Sequence, residues 1–137
     1  MKKDIKSYAF KLLSKKDYFS SELRYKLIQK GYSEEEIDEV INYLQKEGYI
    51  NDENLILRYK ERAIEKGESP SRLKSKLYRK GINIEFSYEE EFESAINRIK
   101  KYKGSKDFNS IVKYFINRGF SYSVASEIAK MYLNGEI

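Results

Sequence analysis

Three glycines interrupt a chain whose apolar residues otherwise recur with the spacing of α-helices. Each follows a basic residue and precedes an apolar one, in Lys30-Gly31-Tyr32, Lys80-Gly81-Ile82 and Arg118-Gly119-Phe120. Glycine adopts, without steric cost, the left-handed backbone conformation that commonly ends a helix. The pattern therefore predicts three helices that each stop at one of these glycines.

The residues before the three glycines form an internal repeat. Residues 21–31 match residues 71–81, and residues 109–119 form a third, more divergent copy; we call these the matched segments. The glycines are 50 and 38 residues apart, a period typical of stacked arrays of small helical units. Each segment has two apolar positions four residues apart, occupied by Leu23 and Leu27, Leu73 and Leu77, and Ile111 and Phe115.

The apolar periodicity predicts an all-α fold, an elongated tandem array of three three-helix repeats at residues 1–50, 51–87 and 88–137. No sustained alternation of the kind that indicates strands is present. The third helix of the second repeat is expected to be reduced to a short or irregular piece near residues 82–86. Helices are predicted at residues 2–14, 20–30, 33–47, 52–66, 70–80, 88–103, 107–118 and 121–134.

Polar residues support several of these helix starts. Ser33 and Glu36 have the spacing of a capping box, in which each side chain accepts a hydrogen bond from the other residue's backbone. Ser69 followed by Pro70 predicts an N-cap and the first residue of a helix.

The composition argues against most enzyme chemistry. The 137 residues contain no Cys and no His, which removes disulfides, thiolate nucleophiles, the usual general base and the commonest metal ligand. No nucleotide-binding glycine loop is present, and the acidic group Glu89, Glu90, Glu91 and Glu93 is interpreted as a solvated helix face rather than as metal ligands. We expect a binding protein without catalytic residues, metal or cofactor. Because no apolar run suits a signal peptide or a membrane span, we expect it in the cytoplasm.

Positive charge concentrates in the middle of a chain whose net charge is +5. Residues 51–86 hold nine basic and six acidic residues. A surface of this sign attracts polyanions or acidic protein surfaces, although a solvated helix face with local pairs such as Arg58–Glu61 is the competing interpretation. Lys26 and Lys30 are the repeat equivalents of Lys76 and Lys80. The predicted binding residues are Arg24, Lys26, Lys30, Arg58, Arg62, Lys66, Arg72, Lys74, Lys76, Arg79 and Lys80.

Aromatic residues divide into two groups. Those on the apolar stripes are predicted to be core, namely Tyr8, Phe92, Phe108 and Phe115. Those that flank the stripes, Tyr78, Tyr102 and Tyr122, are candidates for exposed contacts. A DNA-recognition helix after Gly31 is rejected, because five carboxylates between residues 34 and 39 would face the DNA.

Three stretches resemble the RecX regulatory proteins. They are residues 9–31 (AFKLLSKKDYFSSELRYKLIQKG), 44–53 (LQKEGYINDE) and 66–82 (KGESPSRLKSKLYRKGI). The resemblance implies an elongated protein of three tandem three-helix units that binds the RecA recombinase, especially its filament on single-stranded DNA. It also implies that the protein blocks filament growth, ATP hydrolysis and strand exchange, without a catalytic residue or cofactor of its own. After residue 82 the likeness is limited to the third matched segment.

Three functions are therefore weighed. The first is a monomeric regulator of RecA in recombination and DNA repair. The second is a basic helical-repeat module that binds single-stranded nucleic acid through its phosphates, which would make its affinity strongly salt-dependent. The third is a structural adaptor for another partner, because helical repeats host many functions.

Overall fold

The computed structural model describes residues 4–137, which form eight α-helices and no strand. None of the helices in this range is long and apolar enough to cross a bilayer. The helices are α1 (Ile5–Leu13), α2 (Ser20–Lys30), α3 (Glu34–Lys46), α4 (Asp52–Lys66), α5 (Pro70–Tyr78), α6 (Tyr88–Ile99), α7 (Phe108–Asn117) and α8 (Tyr122–Leu133).

The predicted all-α fold is confirmed, and each predicted helix has a counterpart. The first was predicted from residue 2, and residues 2 and 3 lie outside the described residues. Residues 82–87 contain no helix, in agreement with the irregular piece expected there. The helix predicted at 88–103 ends at Ile99, because the chain turns there and the backbone N–H of Tyr102 bonds to the Ile99 carbonyl at 3.0 Å.

All three matched segments end in the same turn. Gly31, Gly81 and Gly119 have φ angles of 95°, 80° and 99°, in the left-handed region that glycine adopts without strain. In each turn the N–H of the residue after the glycine returns to a carbonyl of the preceding helix, as in a Schellman motif. These bonds join Tyr32 to Leu27, Ile82 to Leu77, and Phe120 to Phe115.

Side-chain caps begin the helices where the sequence predicted them. Ser33 and Glu36 form the predicted capping box, with distances of 3.2 Å and 3.0 Å. The hydroxyl of Ser69 accepts the backbone N–H of Arg72 at 3.3 Å, which makes Pro70 the first residue of α5. Satisfying these amide donors fixes the starts of both helices.

The chain divides into two compact units, one through Leu57 and the other from Arg58 to Ile137. In the first unit α1, α2 and α3 pack around a core that includes Ala9, Leu23, Leu27, Ile37 and Leu44. At the start of α4, Asp52 accepts hydrogen bonds from the backbone N and Oγ of Ser20, at 2.8 Å and 2.6 Å. The repeat boundaries at residues 50 and 87 stay predictions.

In the second unit α6, α7 and α8 enclose a core that includes Ala95, Ile111, Phe115, Val124 and Ile128. The apolar positions of the matched segments are therefore buried in α2 and α7, and Leu73 and Leu77 of α5 are buried as well. Polar side chains of α6, and that of Lys101 just after it, bind backbone carbonyls at the end of α4 and in the turn that follows. Asn97 donates to Ile64, Lys101 to Lys66, and Ser94 to Glu68.

Candidate partner-binding surface

Three of the predicted binding residues lie along α4. Asn51 caps this helix by accepting the Asn54 N–H at 3.1 Å, and the helix continues unbroken to Lys66. Arg58, Arg62 and Lys66 are all exposed. Their four-residue spacing therefore places them on neighbouring turns of one solvent-facing side of α4.

The predicted residues of α5 and its C-terminal turn fall into two groups. Arg72, Lys76 and Arg79 are exposed, whereas Lys74 and Lys80 are half-buried. The Nζ atom of Lys74 lies 3.1 Å from Oε2 of Glu85, so part of its charge is already compensated. Within residues 4–137, Arg72 and Arg79 form no ion pair, and their charge is available to a partner.

A cation–aromatic contact joins the basic residues of α4 and α5. The Nζ atom of Lys76 lies 5.2 Å from the centroid of the Tyr59 ring, within the range in which a ring face attracts a cation. Arg62 follows Tyr59 by three residues and shares its side of α4. The second unit therefore brings Lys76 of α5 close to the basic side of α4. We call Arg58, Arg62, Lys66, Arg72, Lys76 and Arg79 the basic surface.

The predicted residues of α2 belong to the first unit and form a set of their own. Arg24 is paired with Asp38, with 2.8 Å between Nη1 and Oδ1. The Nζ atom of Lys30 lies 5.2 Å from the centroid of the Tyr8 ring, and Lys26 is exposed. That these three residues extend the basic surface stays a prediction.

The acidic start of α6 is engaged in structural contacts. Glu90 accepts the Ser87 N–H at 2.9 Å and lies 3.4 Å from Nζ of Lys60 on α4. The hydrogen bond from Ser87, opposed by partial burial and reinforced by Lys60, holds the pKa of the Glu90 carboxyl below its ordinary value. Glu91 accepts hydrogen bonds from the backbone N and Oγ of Ser121, at 2.6 Å and 3.1 Å. Two of these carboxylates therefore join helices, which the interpretation as a merely solvated face did not anticipate.

The aromatic side chains differ in their exposure and packing. Tyr78 and Tyr122 are exposed, as predicted, and a contact of either with a partner stays a prediction. The prediction for Tyr102 is wrong, because its ring packs edge-on against Tyr114 and Tyr132, with centroids 4.9 Å and 6.1 Å away. Burial raises the pKa of the Tyr102 hydroxyl. Phe115 is fully buried, and Tyr8, Phe92 and Phe108 pack against the cores as partly buried residues.

No cluster of three or more potential acidic metal ligands is found within residues 4–137. On α4, Arg62 and Glu65 are three residues apart but form no ion pair in this part of the chain. Sequence reasoning missed Tyr59 and Glu85, which lie outside the matched segments and act through contacts with residues further along or back in the chain.

Comparison with known proteins identifies relatives of the chain. Residues 6–44 match the family model described as "RecX, first three-helix domain". The chain is 31% identical over 134 residues to the regulatory protein RecX of Vibrio vulnificus, and the alignment covers 85% of both proteins. It is 30% identical over 128 residues to RecX of Caldanaerobacter subterraneus and 41% identical over 76 residues to RecX of Actinobacillus pleuropneumoniae. These alignments cover 86% and 56% of this chain. They span 65% and 50% of those two relatives' lengths, and all three relatives are named as regulatory proteins rather than enzymes.

A solved structure has the same fold. The crystal structure of RecX from Lactobacillus salivarius superposes with a TM-score of 0.76 at 24% sequence identity. The match covers 95% of this chain and 94% of the other.

Proposed function

The chain belongs to the RecX family, and from this premise we propose that it is a non-enzymatic regulator of the RecA recombinase. It binds the RecA filament on single-stranded DNA and inhibits its growth, its ATP hydrolysis and its strand exchange. It acts as a monomer in the cytoplasm, in homologous recombination and DNA repair. Family membership, supported by the 85% mutual coverage of the Vibrio vulnificus relative, is the observation that carries the proposal.

The basic surface supports the binding part of the proposal. Its cations come from two helices linked by the Lys76–Tyr59 contact, and four of the six lie within the run from residue 66 to residue 79. Cations on an exposed helix accelerate encounter with an acidic protein surface and add orientation specificity. The basic surface therefore contacts acidic RecA subunits or the DNA phosphates beside them.

The direct test measures RecA ATPase activity on single-stranded DNA while this protein is titrated at substoichiometric ratios to RecA. A regulator that acts on the filament is expected to lower the rate of ATP hydrolysis even when far fewer than one molecule of the regulator is present per RecA subunit. Undiminished hydrolysis at an excess of the protein would contradict the proposal.

The nucleic-acid alternative is separated by a binding measurement without RecA. Fluorescence anisotropy with labelled single-stranded DNA is recorded at about 50 mM and 200 mM salt. A phosphate-binding module of six to ten contacts loses about 10³–10⁵-fold in affinity across that range. The RecA proposal predicts weak binding to DNA alone at the higher salt, whereas tight binding there would favour the alternative.

A further inference from the structure

An open groove runs beside α5 in the second unit. Its volume is about 530 Å³, and its lining includes Lys74, Tyr78, Arg79, Ile84 and Glu85. One wall is the C-terminal half of α5, and the other is the non-helical segment after Gly81. The groove is therefore formed where the second repeat lacks its third helix.

The most unusual residue of the groove is Tyr78, whose side chain is 72% exposed. The matched segments have an exposed apolar residue at this same position, three residues before the glycine, since Ile28 is 56% and Ile116 is 42% exposed. The neighbouring position Leu77 is fully buried. The second helix of each repeat thus has one apolar residue in the core and the next one in solvent. An exposed aromatic ring beside a groove is a typical anchor point for a protein partner.

The walls of the groove are held in place by contacts within the second unit. The Lys74–Glu85 ion pair joins α5 to the non-helical segment at 3.1 Å, and the N–H of Ile82 bonds to the Leu77 carbonyl at 3.0 Å. The side chain of Ile84, in the non-helical segment, is buried within the second unit. Because the groove is already formed in the free protein, a ligand need not bear the entropic cost of ordering it.

A groove at the equivalent position beside α2 differs from the α5 groove in its lining residues. It is lined by Arg24, Ile28 and Glu34, and an Arg24–Asp38 ion pair of 2.8 Å replaces the Lys74–Glu85 pair. Glu34 occupies the repeat position of Ile84. The α2 groove also includes the apolar residues Tyr32 and Ile37, and each groove has one carboxylate among its lining residues, Glu34 or Glu85. The two grooves differ in the cation Arg79, because the equivalent position of the first repeat is Gln29.

The charged residues around the α5 groove indicate which kind of ligand it binds. Residues 70–80 contain five cations and no carboxylate, and Arg79 at the groove forms no ion pair within residues 4–137. Glu85, the one carboxylate among the lining residues, is exposed on the opposite wall and would repel a phosphate chain. A phosphate chain carries a charge on every nucleotide, whereas an acidic peptide can place a single carboxylate on Arg79 and keep its uncharged backbone near Glu85. The peptide therefore fits the groove better.

We propose that the groove between α5 and residues 83–85 docks an acidic peptide segment of a partner protein. An apolar side chain of that segment packs on Tyr78, and a neighbouring carboxylate pairs with Arg79. The inference rests on the proposed function in one respect, since it takes the partner to be a subunit of the RecA filament. It goes further by assigning the docking groove and by making the contact protein-to-protein.

The first experiment measures the protein concentration that gives half-maximal inhibition of RecA ATPase on single-stranded DNA. Tyr78→Ala is expected to raise this concentration at least tenfold, and Arg79→Glu likewise. The matched controls are Tyr122→Ala and Lys130→Glu on α8, because Tyr122 is 61% exposed and Lys130 is exposed. Both controls are expected to stay within twofold of wild type. Circular dichroism checks that helix content is unchanged in all four variants.

The second experiment identifies what touches the groove. Tyr78, or Tyr122 as the control, is replaced by the photoreactive residue p-benzoylphenylalanine, and the protein is irradiated with RecA filaments on single-stranded DNA. The expected product is an adduct from position 78 to a RecA peptide that contains Asp or Glu beside an apolar residue. An adduct to DNA instead, or a yield no higher than from position 122, would overturn the assignment.

The outcomes separate the two proposals. A wild-type chain that neither binds nor inhibits RecA filaments overturns the proposed function and this assignment with it. A wild-type chain that inhibits normally, while Tyr78→Ala and Arg79→Glu inhibit equally well, overturns the groove alone and leaves the regulator intact.

Discussion

Arg98 of α6 donates a hydrogen bond from Nε to the carbonyl oxygen of Gly67, with 2.7 Å between the two atoms. Gly67 follows the last residue of α4, where carbonyls have no donor within the helix. Asn97 and Lys101 bind the carbonyls of Ile64 and Lys66 in the same way, each at 2.8 Å. Side chains of α6 and of Lys101, just after it, therefore supply the C-terminal cap of α4 and fix the end of the helix that presents Arg58, Arg62 and Lys66.

The close approach of α6 makes Gly67 hard to replace. A Cβ atom at this position would lie 2.7 Å from the backbone nitrogen of Arg98, and its φ angle is +70°. Left-handed backbone alone costs about 1–2 kcal/mol for a non-glycine residue. Because backbone atoms of α6 must also move, we expect Gly67→Ala to lower the free energy of unfolding by more than about 2 kcal/mol.

Gly48 offers the matched control for this prediction. Its φ angle is +79°, and a Cβ there would meet nothing within 4 Å. Gly48→Ala is therefore expected to show the left-handed cost alone. Urea unfolding followed by circular dichroism compares the two variants. An equal loss in both would show that the contact with Arg98 is not what requires glycine at position 67.

Removal of the Arg98 side chain tests the same cap from the other side. Arg98→Ala deletes the bond to Gly67 and a longer one of 3.4 Å to the Lys66 carbonyl. A hydrogen bond from a charged group is worth about 1.5–3 kcal/mol, so we expect a loss within this range. For a unit of this size each 1 kcal/mol lowers the Tm by roughly 4–8 °C. The measurement compares the thermal unfolding of Arg98→Ala with that of Lys100→Ala, whose side chain is exposed. Equal Tm values for the two variants would contradict the role of the cap.

The fold could be predicted from the sequence because its signals are local. The two apolar positions of each matched segment are buried, and each segment ends in a left-handed glycine. Both features depend on residues within one or two helical turns. The N-caps at Ser33 and Ser69 were predictable for the same reason, since each cap and its amide donor are three residues apart.

The remaining features depend on contacts between residues far apart in the chain. Asn97 binds a carbonyl 33 residues away, and nothing in the spacing of α6 indicates that partner. Tyr102 was predicted to be exposed because it follows the apolar stripe of its helix. It is instead covered by Tyr114 and Tyr132 from α7 and α8. The exposed cations of the basic surface could be listed from the sequence, and their role in binding stays a prediction. The contact between Lys76 and Tyr59 could not be predicted.

The lowered pKa of Glu90 predicts a pH dependence of stability. Its carboxylate accepts the Ser87 N–H and lies near Lys60, so the folded state binds a proton more weakly than the unfolded state. The stabilisation is fully present above the ordinary pKa of 4.5 and is lost as the pH falls through the lowered value. Glu90→Gln removes this titration. Its urea midpoint should therefore fall less than that of wild type between about pH 6 and pH 3.

Glu89→Gln is the control for this measurement, because Glu89 is an exposed residue of the same helical turn. Its profile is expected to follow that of wild type. Parallel profiles for Glu90→Gln and wild type would show that the contacts with Ser87 and Lys60 do not contribute to acid sensitivity.

Charge reversal on α5 tests whether the basic surface binds the filament. Arg72, Lys76 and Arg79 are exposed, so replacing all three by Glu is expected to leave helix content intact. The same change alters the net charge by six and turns attraction to an acidic surface into repulsion. We therefore expect inhibition of RecA ATPase to weaken at least tenfold, mainly through slower association.

The control replaces the exposed residues Lys103, Lys106 and Lys113 by Glu. This variant changes the net charge by the same amount at positions away from α5. Comparable loss in both variants would indicate a nonspecific effect of net charge, and an unchanged inhibition curve for the α5 variant would refute the role of this surface.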